Sequence, residues 1–192
     1  MTITFSKISS IFSDFIKNPK EDCVYDDEIQ KLVYFLVKTN KTLWALEDSA
    51  RFHEFGDEHV ANAKKDIDIY NQKRNDLIRE IDTLLHKLLN VSRGIKASFY
   101  SESPGMIIDR MSIIFIKLSV VQKIISVIEE NDLRLEYLEK EKILKGQIES
   151  IGNFLDLYME RLLKKEIFFE IQQPVKIYND ARVRKYIKHF YN

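Results

Sequence analysis

The chain has 192 residues, of which 45% are hydrophobic and 31% are charged. Its 30 basic and 30 acidic residues cancel, so the net charge gives no reason to expect a nucleic-acid partner or an anionic membrane. With 5 glycines and 3 prolines, the composition favours long helices over a many-turned β fold. The single cysteine, Cys23, and the lack of a basic-then-apolar leader predict a cytoplasmic protein in a reducing compartment.

Apolar residues recur at three- and four-residue spacing along most of the chain, which predicts an all-α protein. The expected helices span residues 3–17, 27–53, 58–91, 106–128, 133–169 and 180–191, with Ser103 and Pro104 beginning the fourth and Asp57 capping the third. Charges interrupt the most apolar of them, so no membrane span is expected. We predict a single domain over 1–192, an up-down bundle of four long helices with short N- and C-terminal helices.

Several charged and amide side chains fall on helix stripes that should face the core. Glu47 projects onto the apolar line of one long helix, and Arg74 projects onto that of the next. In the central helix, which is apolar on nearly every side, Asp109 and Arg110 cannot both reach bulk water. Because isolated buried charges are costly, we expect one compensated polar layer. Its predicted charged members are Glu47, Asp48, Arg51, Arg74, Asp76, Asp109 and Arg110.

Two interpretations of this layer stay open. In the first, the charges satisfy one another and fix the helix register of a non-enzymatic structural or interaction protein. In the second, the layer lines a pocket for a small anionic ligand such as a nucleotide, sugar phosphate or nucleotide sugar. The roles in such a pocket would be anion binding by Arg51, Arg74 and Arg110, orientation by Asn71, Gln72 and Asn75, and a base or divalent-cation site at Glu47, Asp48, Asp76 or Asp109. No nucleophile can be assigned, so whether the protein is an enzyme stays open.

Weaker patterns suggest other chemistry. The carboxylates of Glu47, Asp48, Asp76, Glu80 and Asp82 are raw material for a Mg-dependent helical phosphohydrolase, although the paired Glu-x-x-Glu and Glu-x-x-Asp motifs are absent. The spacing of Arg79 to His86 fits some helical ribonucleases but is common by chance. The polar turn over 53–59 more often forms a solvated loop than a metal site, so no metal ligands are assigned.

Four blocks of the sequence carry a family resemblance: WALEDSAR at 44–51, NQKRNDLI at 71–78, ESPGMIIDRMSI at 102–113 and KIYND at 176–180. Together they resemble the domain-of-unknown-function family 4254 (DUF4254) over about residues 30–180. The third block is similar to that family's Glu-Thr-Pro-Gly-Ser-x-Ile-Asp-Arg-Leu-Ser-Ile. The family usually continues after the fourth block into Pro-x-Leu-Asn-Pro, whereas this chain has ARVR at 181–184.

This resemblance implies a helical bacterial protein of unassigned activity, often encoded near glycosyltransferases that build cell-surface glycans. A glycan-synthesis enzyme is therefore an implied partner. The fourth block adds Tyr178, Asn179 and Asp180 to the candidate ligand-binding residues, because a loop after Pro174 can fold over one end of the bundle. Alternatively, Asn179 and Asp180 only form a turn and cap the last helix.

Overall fold

The computed structural model describes residues 3–19, 22–94, 96–173, 182–187 and 190, and helices dominate this part of the chain. In chain order, the helices are α1 (Phe5–Lys17), α2 (Glu28–Ser49), α3 (Asp57–Leu88), α4 (Pro104–Ile125), α5 (Asn131–Leu163) and α6 (Arg184–Ile187). A 3-10 turn (His53–Phe55) joins α2 to α3. Two short strands, β1 (Ser98–Phe99) and β2 (Ile167–Phe168), pair in parallel. The predicted all-α bundle is confirmed.

The helices pack as two pairs that share one core. The α2 helix packs mainly against α3, α4 packs mainly against α5, and both α2 and α3 also contact α4. The α1 helix lies against α2, α4 and α5, and its buried Phe12 meets the ring of Phe115 edge-on at 5.4 Å between centroids. One buried hydrophobic cluster therefore joins α1 to α5. No helix among the described residues is both long and apolar enough to cross a membrane.

Several helix ends differ from the sequence prediction. The last long helix was predicted to reach residue 169, but α5 ends at Leu163 and the chain turns at Lys165, whose φ is 56°. The apolar run that follows forms β2 instead, because a short apolar run has the same pattern in a buried strand as in a helix. The α2, α3 and α4 helices each end a few residues early. Of the predicted tail helix, the described residues contain only α6.

The start of α4 follows the prediction, whereas the start of α3 does not. Ser103 is the N-cap of α4, its Oγ accepts the backbone N–H of Met106 at 3.3 Å, and Pro104 is the first helical residue. Asp57 was predicted to be the N-cap of α3 but is its first helical residue. The N-cap position is taken by Gly56, whose φ is 86°. The well-defined start of α4 determines where the polar residues of the next section lie.

Candidate functional site

A cleft of about 560 Å³ lies between α3, α4 and the extended segment 170–173 that follows β2. Its walls combine apolar side chains with charged ones of both signs. The apolar lining residues are Ile78, Met106, Ile113 and Ile171. The charged lining residues are Arg74, Arg79, Asp82, Asp109, Arg110 and Glu170. A cleft of this size with a few polar groups is typical of small-molecule sites in proteins.

Asp109 is a buried carboxylate that forms part of the cleft wall. Its Oδ1 accepts a hydrogen bond from Nδ2 of Asn40 at 2.8 Å, and the same amide donates to Oγ of Ser112 at 2.6 Å. Ser112 in turn donates to the backbone oxygen of Asp109 at 2.8 Å. Burial raises the pKa of Asp109, although the Asn40 hydrogen bond and the charges of Arg74 and Arg110 lower it. The sequence prediction that Asp109 or Arg110 is packed inside is confirmed.

Arg74 lies opposite Asp109 on α3 and is only loosely held. Its Nε lies 3.8 Å from Oδ1 of Asp109, which is an ion-pair distance but too long for a hydrogen bond. This buried Nε–H has no hydrogen-bond acceptor among the described residues. The side chain is 31% exposed, so the guanidinium also reaches the cleft. An unsatisfied buried donor costs about 1–3 kcal/mol, so an acceptor at this position would stabilise the site.

Asp82 attaches α3 to the first turn of α4. Its Oδ1 accepts the backbone N–H of Gly105 at 2.7 Å, and its Oδ2 accepts the hydroxyl of Ser103 at 2.5 Å. The side chain is buried, and this desolvation raises its pKa to about 6 even though both hydrogen bonds lower it. Gly105 is required here because a Cβ would lie 2.7 Å from the backbone oxygen of Ile78.

Arg110 and Glu102 form an ion pair at the mouth of the cleft. The backbone oxygen of Glu102 accepts the hydroxyl of the buried Tyr158 at 2.7 Å, which fixes the turn before α4 to α5. The Arg110 side chain is 58% exposed, so this pair is a surface ion pair that contributes little to stability. Arg110 can therefore exchange Glu102 for another anion at little free-energy cost.

The three predicted site residues at the end of α2 and just after it do not line the cleft. Glu47 is exposed in the last turn of α2, where the apolar stripe no longer faces the core. Asp48 and Arg51 pair with each other at 3.2 Å in an exposed contact. The predicted convergence of seven charged side chains is therefore wrong for these three. The helical projection gave the correct direction of the stripe. It could not show whether another part of the protein covers the stripe at the end of α2.

The remaining candidates on α3 divide into two groups. Asn75 is exposed and lines the cleft, whereas Asn71 is partly buried and is not a lining residue. Gln72 donates to Oδ1 of Asp76 at 2.8 Å, and Asp76 also pairs with Arg79. Asp76 therefore pairs with two neighbours on its own helix.

Tyr178, Asn179 and Asp180 lie outside the described residues, so their predicted contribution stays a prediction. Among the described residues, no group of three or more His, Cys, Asp and Glu side chains could hold a metal ion. The sequence prediction missed Asn40, Ser112 and Glu102 as parts of the site. For Asn40 a signal existed, because an amide stood on the apolar line of the helix over 27–53.

The comparisons with known proteins give one match. Neither the curated proteins nor the solved structures yield a significant match to this chain. The family described as "Protein of unknown function (DUF4254)" matches residues 30–169. This range contains α2 from its third residue onward, α3 to α5 and the described cleft up to Phe169, while the fourth sequence block lies beyond it. Since the match covers more than half of the chain, the protein belongs to the DUF4254 family.

Proposed function

We propose that the cleft between α3 and α4 binds a small ligand through a carboxylate or phosphate group. The observation that carries this proposal is Arg74, a cleft residue whose buried Nε–H has no acceptor among the described residues. Buried donors in native proteins are nearly always hydrogen-bonded, so an exception needs a physical reason. An acceptor from a bound anion supplies one, since guanidinium groups bind carboxylate and phosphate in a planar, two-point geometry.

The charges around Arg74 support the same ligand class. Arg79 and Arg110 also line the cleft, and each is paired with a partly exposed carboxylate, Asp76 and Glu102 respectively. Such ion pairs are weak, so an incoming phosphate can take over one of these arginines at little free-energy cost. The cleft volume of about 560 Å³ fits a nucleotide or a sugar phosphate.

The family resemblance narrows the first ligands to test. If the protein is bacterial and its gene lies near those of surface-glycan glycosyltransferases, the appropriate ligands are sugar phosphates and nucleotide sugars. In that case the amides of Asn75, Gln172 and Gln173, which also line the cleft, are suited to binding sugar hydroxyls. The proposal is for binding and assigns no reaction.

A second candidate is a structural or interaction protein whose polar groups only lock the bundle. It is supported by Asp82, both of whose carboxylate oxygens accept a hydrogen bond, and by the Asn40 contact to Asp109. In that case, a glycan-synthesis enzyme would be a protein that this chain contacts directly, and not only an enzyme that acts on related metabolites. The Mg-dependent phosphohydrolase has less support, because Asp82 caps α4 and Glu47 and Glu80 are exposed.

Thermal unfolding with added ligands tests the proposal. We would use pyrophosphate, glucose 1-phosphate, UDP-glucose and Mg²⁺, each against wild type, Arg74→Met and, as a matched arginine control, Arg51→Ala. A ligand at 100 times its Kd stabilises the folded state by about 2.7 kcal/mol, or roughly 5–10 °C in Tm for a chain of this length. The shift should survive in Arg51→Ala and vanish in Arg74→Met. If no anion shifts the Tm of wild type, the structural role is the better account.

A further inference from the structure

A second cavity, which we call the α4–α5 groove, lies next to the cleft along the outer face of α4. Its volume is about 590 Å³. On α4 it is lined by Arg110, Ile113, Ile114 and Lys117, which occupy one helix face at spacings of three, four and seven. Arg110 and Ile113 line the cleft as well. The two cavities are therefore adjacent, and they share one cationic and one apolar side chain.

The lining of the groove is amphipathic and carries one sign of charge. Four isoleucines, at positions 113, 114, 143 and 151, form its apolar part. Arg110 and Lys117 are its charged residues, and no carboxylate of the described part of the chain lines it. Lys117 makes no ion pair with any described residue. This arrangement is complementary to a molecule that joins a hydrocarbon chain to an anionic group.

Gly146 marks open space on the α5 wall of the groove. It lies in the middle of α5, where glycine is about 1 kcal/mol less favourable than alanine. A Cβ at this position would meet no atom within 4 Å, so no contact within the described chain requires a glycine. The groove therefore has open space beside this part of α5, into which a side chain at position 146 would project. Ile143, one turn earlier, is 51% exposed although it is apolar.

We infer that the α4–α5 groove takes the hydrocarbon chain of an alkyl phosphate whose phosphate group binds at Arg110, on the boundary with the cleft. This inference rests on the proposed function, because it assigns an amphiphilic substrate class to the same anion site. The phosphate displaces Glu102 from Arg110 and lies within reach of Arg74 across the cleft. The chain lies against Ile113, Ile114 and Ile143, and the aliphatic stem of Lys117 covers its far end.

Isothermal titration with ethyl, butyl, hexyl and octyl phosphate, all below their micelle concentrations, tests the inference. Complete burial of one CH₂ group increases affinity about fourfold, so an open groove should give roughly twofold per CH₂. Affinity should therefore rise steadily from ethyl to octyl phosphate. In Gly146→Leu, whose added Cβ would meet no atom within 4 Å and whose side chain starts on the groove wall, the increase should disappear while ethyl phosphate binds as before. Gly146→Ala adds only a methyl group and is the matched control.

The possible results separate the groove from the cleft. If ethyl and octyl phosphate bind wild type equally well, the groove assignment is wrong and the anion site in the cleft stands. If the chain-length effect is the same in Gly146→Leu as in wild type, the chain lies elsewhere and the groove is again excluded. If neither alkyl phosphate binds although pyrophosphate raises the Tm of wild type, the groove is excluded and the anion site in the cleft stands. If pyrophosphate, glucose 1-phosphate and UDP-glucose have no effect either, both the groove and the proposed function fail.

Discussion

The close approach of α3 to α4 at Gly105 allows a quantitative prediction. A Cβ at this position would lie 2.7 Å from the backbone oxygen of Ile78 and 2.8 Å from Oδ1 of Asp82. A backbone oxygen inside a helix cannot move alone, so in Gly105→Ala the two helices must separate. Overpacking costs about 1–3 kcal/mol, and weakening of the two hydrogen bonds to Asp82 adds about 1 kcal/mol. We expect the free energy of unfolding to fall by about 2–4 kcal/mol.

Urea denaturation followed by circular dichroism measures this effect, and Gly146→Ala is the control. The control substitutes the same residue within a helix, but its added Cβ would meet nothing within 4 Å. It should therefore raise the free energy of unfolding by about 0.5–1 kcal/mol through helix propensity alone. If Gly105→Ala lowers the free energy of unfolding by less than about 0.5 kcal/mol, the close α3–α4 contact at Gly105 is wrong.

Three further substitutions probe the hydrogen bonds of the site. Asn40→Ala removes the amide that donates to Asp109 at 2.8 Å and should lower the free energy of unfolding by about 2 kcal/mol in urea titrations. Burial raises the pKa of Asp82 to about 6, so its contribution to stability is fully present below pH 4 and is lost as the pH rises through 6. Asp82→Asn should remove this part of the pH dependence, about 3 kcal/mol between pH 4 and 7. Tyr158→Phe deletes the hydroxyl that donates to the backbone oxygen of Glu102 at 2.7 Å and should cost about 1 kcal/mol in the same titrations, leaving the pH dependence unchanged.

The sequence predicted the helices better than it predicted their ends. The three-and-four spacing of apolar residues identified α1 to α5, because burial against neighbouring helices requires that spacing. The N-cap at Ser103 was also visible, since a serine followed by proline is a local signal. The end of α5 was not visible, because the apolar residues 167–169 follow only three charged residues later, and only the pairing of Ile167–Phe168 with Ser98–Phe99 makes them a strand. That pairing is a long-range contact, which local periodicity does not encode.

The site was predictable where charges met an apolar environment on several sides. Asp109 and Arg74 were identified because each stood in a core-facing stripe, and they do face each other. Glu47 stood in such a stripe as well, yet it is exposed in the last turn of α2. A stripe gives the direction of a side chain but not whether a neighbour covers it. Asp82 was underrated because its partners, Ser103 and Gly105, come from another helix.

The proposed anion site is tested most directly at the Nε–H group of Arg74 itself. In proton–nitrogen NMR spectra of the arginine Nε–H groups, the Arg74 signal can be assigned by its loss in Arg74→Lys. On titration with pyrophosphate, we expect this signal to shift saturably as the buried donor gains an acceptor. The exposed Arg51 should shift little over the same range. An Arg74 signal that stays in place at concentrations of pyrophosphate, glucose 1-phosphate and UDP-glucose up to about 10 mM, far above typical substrate KM values, would contradict an anion site in this cleft.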